Sequence, residues 1–265
     1  MKSRILVAAV GVPILLYIVL WGPPLLLLAA LEVLAGIGGW ELYHCAGGEK
    51  DSRLVIAAVF IPVFTVGCYY VIPQYVGLWL VLSAILVFGY AILKGGEVRF
   101  QQIAAVLFGG IAIGYAFSSF LRVYASSVHR GYLLLPFILS FACDTFAYFT
   151  GISLGRHKLV PRVSPKKTVE GALGGLAGNM VCGAIFAFVM NTWFSGSIHY
   201  GMMVLVSLLC GIVAQIGDLS FSLIKREFGI KDYGHIFLAH GGVLDRFDSV
   251  LFVAPALAAV IQFLG

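Results

Sequence analysis

Two aspartates near the C-terminus, Asp245 and Asp248, have the residue type and spacing that most directly suggest chemistry. They are the first and last residues of the sequence Asp-Arg-Phe-Asp, which stands at the start of an apolar run. Three residues apart on a helix, their carboxylates would project from one face and could share a divalent cation. The alternative is helix capping by Asp245, with an acidic residue three positions later. The preceding His240-Gly241-Gly242 favours ligand binding, because glycines let backbone amides approach a ligand closely, although a lone histidine is more often packed or solvated.

Two further aspartates lie within or beside apolar segments. Asp144 is well inside one, where an ionised side chain costs a few kcal/mol unless it is paired or hydrated. Asp218 is near the end of another, and Ser222 follows one helical turn later on the same face. We therefore expect Asp144 to have a functional role. Asp218 could have one too, but the alternative is that it is a solvated residue at a helix end.

A basic stretch, Ser164-Pro165-Lys166-Lys167-Thr168, predicts an anion site. Ser followed by Pro is a helix start signal, with Ser164 as the N-cap. Lys166 and Lys167 would then lie in the first helical turn, where the helix dipole disfavours cations, and a bound phosphate would resolve that conflict. The alternative is a cytoplasmic loop whose positive charge serves only membrane topology.

Carboxylates together with basic clusters suit phosphoryl or nucleotidyl transfer. Carboxylates and hard cations bridge phosphate oxygens, while Lys and Arg neutralise the charge that builds on a leaving group. A phosphate nucleophile is already anionic at neutral pH, so this chemistry requires no strong general base.

The composition indicates where such a site must be built. Of 265 residues, 61% are hydrophobic and 11% are charged, and the mean hydropathy is +1.01. A soluble globule of this size would need more charge on its surface, so we expect an integral membrane protein. Each span must satisfy its own backbone hydrogen bonds in the bilayer, which predicts an all-α polytopic protein.

The hydropathy pattern predicts nine transmembrane helices. Their expected bounds are Ile5–Leu20, Leu25–Tyr43, Leu54–Val71, Val76–Leu93, Ile103–Leu121, Tyr132–Thr150, Ala172–Asn191, Tyr200–Leu219 and Ser249–Leu264.

The distribution of cations predicts a cytoplasmic N-terminus. With that orientation the lysines and arginines fall on the cytoplasmic side, except for Arg122 and Arg130 outside and Arg246 at a helix start. The formal net charge of +5 therefore reflects topology, and nucleic-acid binding is not implied.

We expect a single domain over residues 1–265, since no Pro-, Ser- or Gly-rich linker divides the chain. Residues 1–131 are expected to be mainly scaffold helices and residues 132–265 the catalytic half, because charge concentrates in the second part. Two small-residue pairs, Gly110-xxx-Gly114 and Gly174-xxx-Gly178, suit close helix packing or a homodimer.

The charged segment from Ser222 to Asp248 resembles the signature of the phosphatidate cytidylyltransferases, also called CDP-diacylglycerol synthases. Spacing agrees across the positions that carry the resemblance, which are Ser222, Lys225, Arg226, Lys231, Asp232, His240, Gly241, Gly242, Leu244, Asp245, Arg246, Phe247 and Asp248. Asp144-Thr145-x-Ala147-Tyr148 and Ser164-Pro165-Lys166-Lys167-Thr168-x-Glu170-Gly171 are similar to the same family. Leu238 departs from it, standing where Pro, Gly or Ser is usual.

The resemblance implies condensation of CTP with phosphatidate to CDP-diacylglycerol and pyrophosphate, dependent on Mg²⁺ or Mn²⁺. We expect Asp144, Asp218, Asp245 and Asp248 to hold one or two cations. Residues expected to bind phosphatidate and departing pyrophosphate are Lys166, Lys167, Lys225, Arg226 and Lys231. Ser164, Thr168 and Ser222 are expected as phosphate hydrogen-bond donors, with Asp232 orienting or pairing with Lys231 and His240 beside the substrate.

The partners expected from this interpretation are CTP, phosphatidate and the lipid bilayer. The location would be a bacterial inner membrane, with the active site facing the cytoplasm.

Two rival functions remain open. A CDP-alcohol phosphotransferase also uses aspartates and a metal, but its motif, beginning Asp-Gly and ending in two Asp four apart, is absent. A lipid or organic-anion transporter would also carry charges within its spans, although charges clustered on one face fit catalysis better.

Overall fold

The computed structural model describes residues 2–48, 51–126, 129–194, 196–236 and 241–264. The chain is helical in every region predicted to span the membrane. The helices are α1 (Lys2–Leu20), α2 (Pro24–Cys45), α3 (Ser52–Val71), α4 (Val76–Leu93), α5 (Phe100–Phe108), α6 (Gly114–Ala125), α7 (Leu135–Leu154), α8 (Val169–Trp193), α9 (Tyr200–Glu227), α10 (Leu244–Phe247) and α11 (Val250–Leu264). A π-helical turn over Gly109–Ile113 joins α5 to α6.

Within the described residues, seven helical segments are long and apolar enough to cross a bilayer. They are Pro24–Cys45, Ser52–Val71, Pro73–Leu93, Phe100–Ala125, Arg130–Leu154, Val169–Trp193 and Tyr200–Glu227. These correspond to the second through eighth predicted spans, which are confirmed as apolar helices. The outer two contain shorter apolar stretches, Gly11–Leu20 and Val250–Gln262, so the count of nine and the cytoplasmic N-terminus stay predictions.

Helix α9 continues about two turns beyond Leu219, the predicted end of the eighth span, and ends at Glu227. The added turns carry Ser222, Lys225 and Arg226. The three polar side chains predicted to contact substrate therefore lie on a regular helix.

The predicted helix start at Ser164 is also wrong. Ser164–Thr168 is a strand, β2, paired antiparallel with β1 (Lys158–Val160), with Lys158 opposite Thr168 and Val160 opposite Ser164. α8 begins only at Val169, and its N-cap is Thr168, whose Oγ1 accepts a hydrogen bond from the Gly171 amide at 3.1 Å. The Ser-Pro signal is outweighed because pairing with β1 provides backbone partners that a helix would otherwise supply. The described part of the chain is thus all-α apart from this short hairpin.

The chain clusters into two compact units. The first contains Met1–Arg122 and Glu227–Phe247, and the second contains Val123–Arg226 and Asp248–Gly265. The loop that carries Lys231, Asp232 and Asp245 thus belongs to the first unit, which also holds most of the predicted scaffold helices. The assignment of residues 1–265 to one domain stays a prediction.

The second unit is built around α7, α8, α9 and α11. Their buried faces form one apolar core, whose members are Leu135, Leu139, Cys143, Phe186, Ala187, Met190, Met203, Val206, Cys210, Ala214, Val253 and Leu257. Apolar side chains at helical spacing on each element face this core.

Glycines on α8 bring it unusually close to α7. A Cβ atom added at Gly175 would lie 2.8 Å from the Cys143 carbonyl oxygen and 3.0 Å from the Ala147 Cβ. Gly174 and Gly178 likewise face Thr150 and Phe146, while Gly110 and Gly114 in the first unit face α3. Both small-residue pairs are therefore used for packing within the chain, and homodimerisation stays a prediction.

We expect Gly175→Ala to lower the melting temperature in detergent, because the added methyl would push against α7 backbone that cannot move aside easily. Overpacking of this kind costs about 1–3 kcal/mol. Gly89→Ala in α4 is the matched control, since a Cβ there meets nothing within 4 Å. Equal melting temperatures for the two variants would contradict the close packing of α7 and α8.

Candidate active site

A cavity of about 620 Å³ opens in the second unit where α7, α8, α9 and the β1–β2 hairpin meet. Its lining combines two carboxylates, three lysines, three hydroxyls and an amide with apolar residues. The polar members are Asp144, Asp218, Lys158, Lys166, Lys167, Ser164, Thr168, Tyr148 and Gln215. Six of these nine were predicted as site residues, namely all except Lys158, Tyr148 and Gln215.

The hairpin supplies the cationic side of the cavity. Lys166 and Lys167 come from β2, and Lys158 comes from β1. Three ammonium groups at one cavity attract an anion with several charged oxygens. The helix-dipole argument for the anion site is wrong, because both predicted lysines precede α8. The anion site itself stays a prediction.

Glu170 fastens this hairpin to the start of α8. Its Oε2 accepts hydrogen bonds from the amides of Arg156 at 3.0 Å and His157 at 3.2 Å, and its Oε1 lies 2.6 Å from His157 Nδ1. The Val169 amide also donates to the His157 carbonyl at 2.9 Å. The segment that leads into β1 is therefore tied to the first turn of α8.

Asp218 and Lys167 form an ion pair across the cavity, joining α9 to β2. The side chains are 27% exposed for Lys167 and 20% for Asp218, so both ions are partly removed from water. Ser222 Oγ donates a weak hydrogen bond to Asp218 Oδ1 at 3.4 Å, which confirms that the two residues share a helix face. Asp218 is consequently part of a polar network rather than a simple solvated helix end.

Asp144 lies on α7 and its exposed side chain lines the same cavity. Gln215 lies one turn before Asp218, and its Nε2 donates to the Ala172 carbonyl at 2.9 Å. This contact fixes α9 against α8 at the level of the cavity. Gln215 was not predicted as a site residue. The signal that could have identified it is its polar amide side chain within an apolar span.

Asp248 lies in the turn between α10 and α11, and its Oδ1 accepts a hydrogen bond from the Ser249 amide at 2.7 Å. Burial raises the pKa of Asp248 to about 7, with the negative charges of Asp218 and Asp144 acting in the same direction. The Ser249 amide and the charge of Lys225 oppose this rise. Asp144, Asp218 and Asp248 therefore interact electrostatically within the second unit.

Arg226, near the end of α9, reaches the turn of the hairpin. Its Nε donates to the Val163 carbonyl oxygen at 3.4 Å. Together with Lys225, it brings positive charge from the end of α9 toward the residues predicted to bind substrate.

Asp245 lies on α10 in the first unit, so the prediction that Asp245 and Asp248 share one helix face is wrong. α10 ends at Phe247, and a turn at Asp248 and Ser249 separates it from α11. Asp245 Oδ2 accepts hydrogen bonds from the amides of Tyr233 at 2.7 Å and Gly242 at 3.0 Å. It thereby organises its own loop. The capping alternative is wrong as well, because α10 begins at Leu244, so Asp245 lies inside the helix and is not its N-cap.

Other predicted residues of this loop are surface groups or lie outside the described residues. Lys231 and Asp232 are exposed in the first unit. His240 and Leu238 fall in the undescribed stretch 237–240. Gly241 has φ of +85°, a backbone conformation that suits glycine, and a Cβ there would lie 2.7 Å from Asp245 Oδ2.

The donor set suits a hard divalent cation in its chemistry, because it consists of carboxylate oxygens whose negative charges repel one another. Burial is the largest cause of the raised pKa of Asp248, and repulsion by the Asp218 and Asp144 charges adds to it. Among the residues that the structure describes, no three His, Cys, Asp or Glu side chains form a group that could hold a metal ion. The assignment of Asp144, Asp218, Asp245 and Asp248 as metal ligands stays a prediction.

Comparison with known proteins decides the family. The sequence pattern of the Cytidylyltransferase family matches residues 2–264. This chain belongs to the cytidylyltransferase family. It is therefore an enzyme that transfers a nucleotidyl group, and the expectation drawn from its motifs is confirmed.

Curated relatives of this family member cover nearly its whole length. A protein of Staphylococcus haemolyticus named phosphatidate cytidylyltransferase is 34% identical over 272 residues, covering 97% of each chain. Proteins with the same name from Staphylococcus aureus and Staphylococcus epidermidis are each 33% identical, again over 97% of both chains.

We expect Lys167→Ala to weaken binding of inorganic pyrophosphate at the cavity by about 10-fold or more, because hydrogen bonds to charged groups contribute about 1.5–3 kcal/mol. The dissociation constant can be measured by thermal-shift titration of the purified protein. Arg162→Ala is the matched control, since Arg162 is an exposed cation in the hairpin turn that does not line the cavity. Unchanged pyrophosphate affinity in Lys167→Ala would refute the anion site.

Proposed function

We propose that this enzyme condenses CTP with phosphatidate, giving CDP-diacylglycerol and pyrophosphate for phospholipid synthesis. The names of the curated relatives support both substrates. The observation that carries the proposal is the cavity of the second unit, which Asp144 and Asp218 line together with three lysines and three hydroxyls.

The bond changes follow from the two substrates. An anionic phosphate oxygen of phosphatidate attacks the α-phosphorus of CTP and forms the new phosphorus–oxygen bond. The bond from the α-phosphorus to the oxygen that bridges to the β-phosphate breaks, and pyrophosphate leaves with that electron pair. The nucleophile is already deprotonated, so the described side chains need only position the phosphates and stabilise charge.

The lysines are assigned to the leaving group and to phosphatidate. Lys158, Lys166 and Lys167 offset the negative charge that gathers on pyrophosphate, and Ser164, Thr168 and Ser222 donate hydrogen bonds to phosphate oxygens. The ion pair with Asp218 keeps Lys167 at the cavity wall before substrate arrives. Lys225, Arg226 and Lys231 are assigned to binding phosphatidate and pyrophosphate, Asp232 to orienting or pairing with Lys231, and His240 to substrate binding.

Asp144, Asp218, Asp245 and Asp248 are the residues that would hold Mg²⁺ or Mn²⁺. Such a cation would supply electrostatic neutralisation of the triphosphate oxygens. Asp218 meanwhile orients Lys167, and the positive charge of Lys225 favours the ionised form of Asp248.

We also assign the enzyme to a bacterial inner membrane with the cavity facing the cytoplasm. The bacterial origin of the relatives supports the first part. The cytoplasmic supply of CTP and the position of the cations in the sequence support the second.

The decisive experiment incubates purified enzyme with labelled CTP and phosphatidate vesicles and follows pyrophosphate together with label in the lipid phase. We expect both products in equal amounts from the wild-type enzyme. Failure to form either product would overturn the proposed function, and transport of phosphatidate without pyrophosphate release would indicate a transporter.

In the same assay we expect Asp248→Asn and Asp245→Asn each to lower kcat by about 100-fold or more. Loss of one electrostatic contact to a transition state typically lowers kcat by about this factor. Glu97→Gln is the control, because Glu97 is an exposed carboxylate in the first unit whose ion pair with Lys94 is long, at 3.9 Å. Unimpaired turnover in both Asp variants, with melting temperatures unchanged, would exclude the carboxylates from the reaction.

A further inference from the structure

Glu41 is a fully buried carboxylate inside the membrane-spanning helix α2, with 0% of its surface exposed. Its Oε1 accepts a hydrogen bond from the Val243 amide and its Oε2 accepts one from the Leu244 amide, each at 2.9 Å. These amides lie at the start of α10, where backbone donors have no partner within the helix. A carboxylate is costly to bury in an apolar span, and this one is compensated by two donors from a single loop.

The loop closes tightly around the Glu41 carboxylate. A Cβ added at Gly234 would lie 2.5 Å from Glu41 Oε1, and one added at Gly242 would overlap the same carboxylate. Both positions therefore require glycine for the loop to reach Glu41. The carboxylate is enclosed by backbone from two parts of the loop, before and after the stretch 237–240.

A second carboxylate completes the arrangement. Asp245 Oδ2 accepts hydrogen bonds from the amides of Gly242 and Tyr233. Three consecutive amides, at Gly242, Val243 and Leu244, thus donate to two carboxylates, the first to Asp245 and the next two to Glu41. The Gly242 amide, one of the glycine amides predicted to approach a ligand, donates instead to Asp245 within the loop.

We infer that Glu41 is a positioning residue that sets the place of Asp245 by holding the two residues directly before it. The inference rests on the proposed function, in which Asp245 takes part in nucleotidyl transfer. Since Val243 and Leu244 precede Asp245 without a gap, displacing their amides displaces the Asp245 carboxylate. Mispositioning of a reacting group by about 1 Å can cost about 100-fold in rate.

The test compares Glu41→Gln with Glu32→Gln in the full-length enzyme. Glutamine keeps the size of Glu41 but replaces one carboxylate oxygen with an NH₂ group. One of the two backbone amides, Val243 or Leu244, then loses its acceptor and faces another donor. Glu32 is the matched control because it is the other carboxylate of α2, two and a half turns earlier and only partly buried. We expect kcat to fall at least 10-fold in Glu41→Gln, with the KM for phosphatidate unchanged and with Glu32→Gln equal to wild type.

A double-mutant cycle separates positioning from general support of the fold. If Glu41 acts through Asp245, Glu41→Gln should lower the residual activity of Asp245→Asn by less than about 2-fold, since coupled residues are not additive. A merely structural contact would give the full loss in either background. Fully additive losses, or Glu41→Gln activity equal to that of Glu32→Gln, would overturn the inference.

Two further results keep the outcomes distinguishable. If Glu41→Gln does not accumulate as folded protein, Gly234→Ala takes its place, because the added methyl crowds the same carboxylate without changing its charge. We expect this variant to lower kcat while the KM for phosphatidate stays unchanged. A wild-type kcat in Gly234→Ala would overturn the inference. The absence of pyrophosphate release by the wild-type enzyme would defeat the proposed function. Active wild type with an unaffected Glu41→Gln would defeat only the role of Glu41.

Discussion

An ionised carboxylate in a largely apolar protein must be compensated, and the way this requirement is met organises the polar parts of both units. In the second unit Asp218 pairs with Lys167, and Glu170 collects the amides of Arg156 and His157. In the first unit Glu41 collects two amides at the start of α10. Each of these contacts joins a long helix to the hairpin or to a loop segment, so the interactions that neutralise charge also hold the connecting segments in place.

The second unit shows how a rigid scaffold can support a polar cavity. Close packing at Gly175 brings α7 and α8 together without intervening side chains, and the cavity opens where the hairpin and α9 approach that pair. Glu170 then fastens the segment before β1 to the first turn of α8. The lysines of the hairpin are consequently held by secondary structure and by an ion pair rather than by a free loop.

The residue chemistry of the site was more predictable than its local structure. Asp144, Asp218, Ser164, Lys166, Lys167 and Thr168 were identified from charge and spacing, and all line the cavity. The helix expected at Ser164 is a strand, because β1 offers pairing partners that no local signal reveals. The same reasoning that singled out Asp144 as an acid in an apolar span applies to Glu41, yet only its contacts with Val243 and Leu244 indicate what Glu41 does.

Hydropathy and composition alone determined that this is a helical membrane protein and where seven of its apolar helices lie, because those properties depend on neighbours within one turn or one span. The motifs also determined the family and the kinds of groups at its site. Only the tertiary structure decided that Lys167 pairs with Asp218, that Thr168 caps α8, and that Glu41 holds amides 202 residues or more away in the chain. Such pairings depend on how helices pack in three dimensions, and no periodicity along the chain encodes which distant residues will meet.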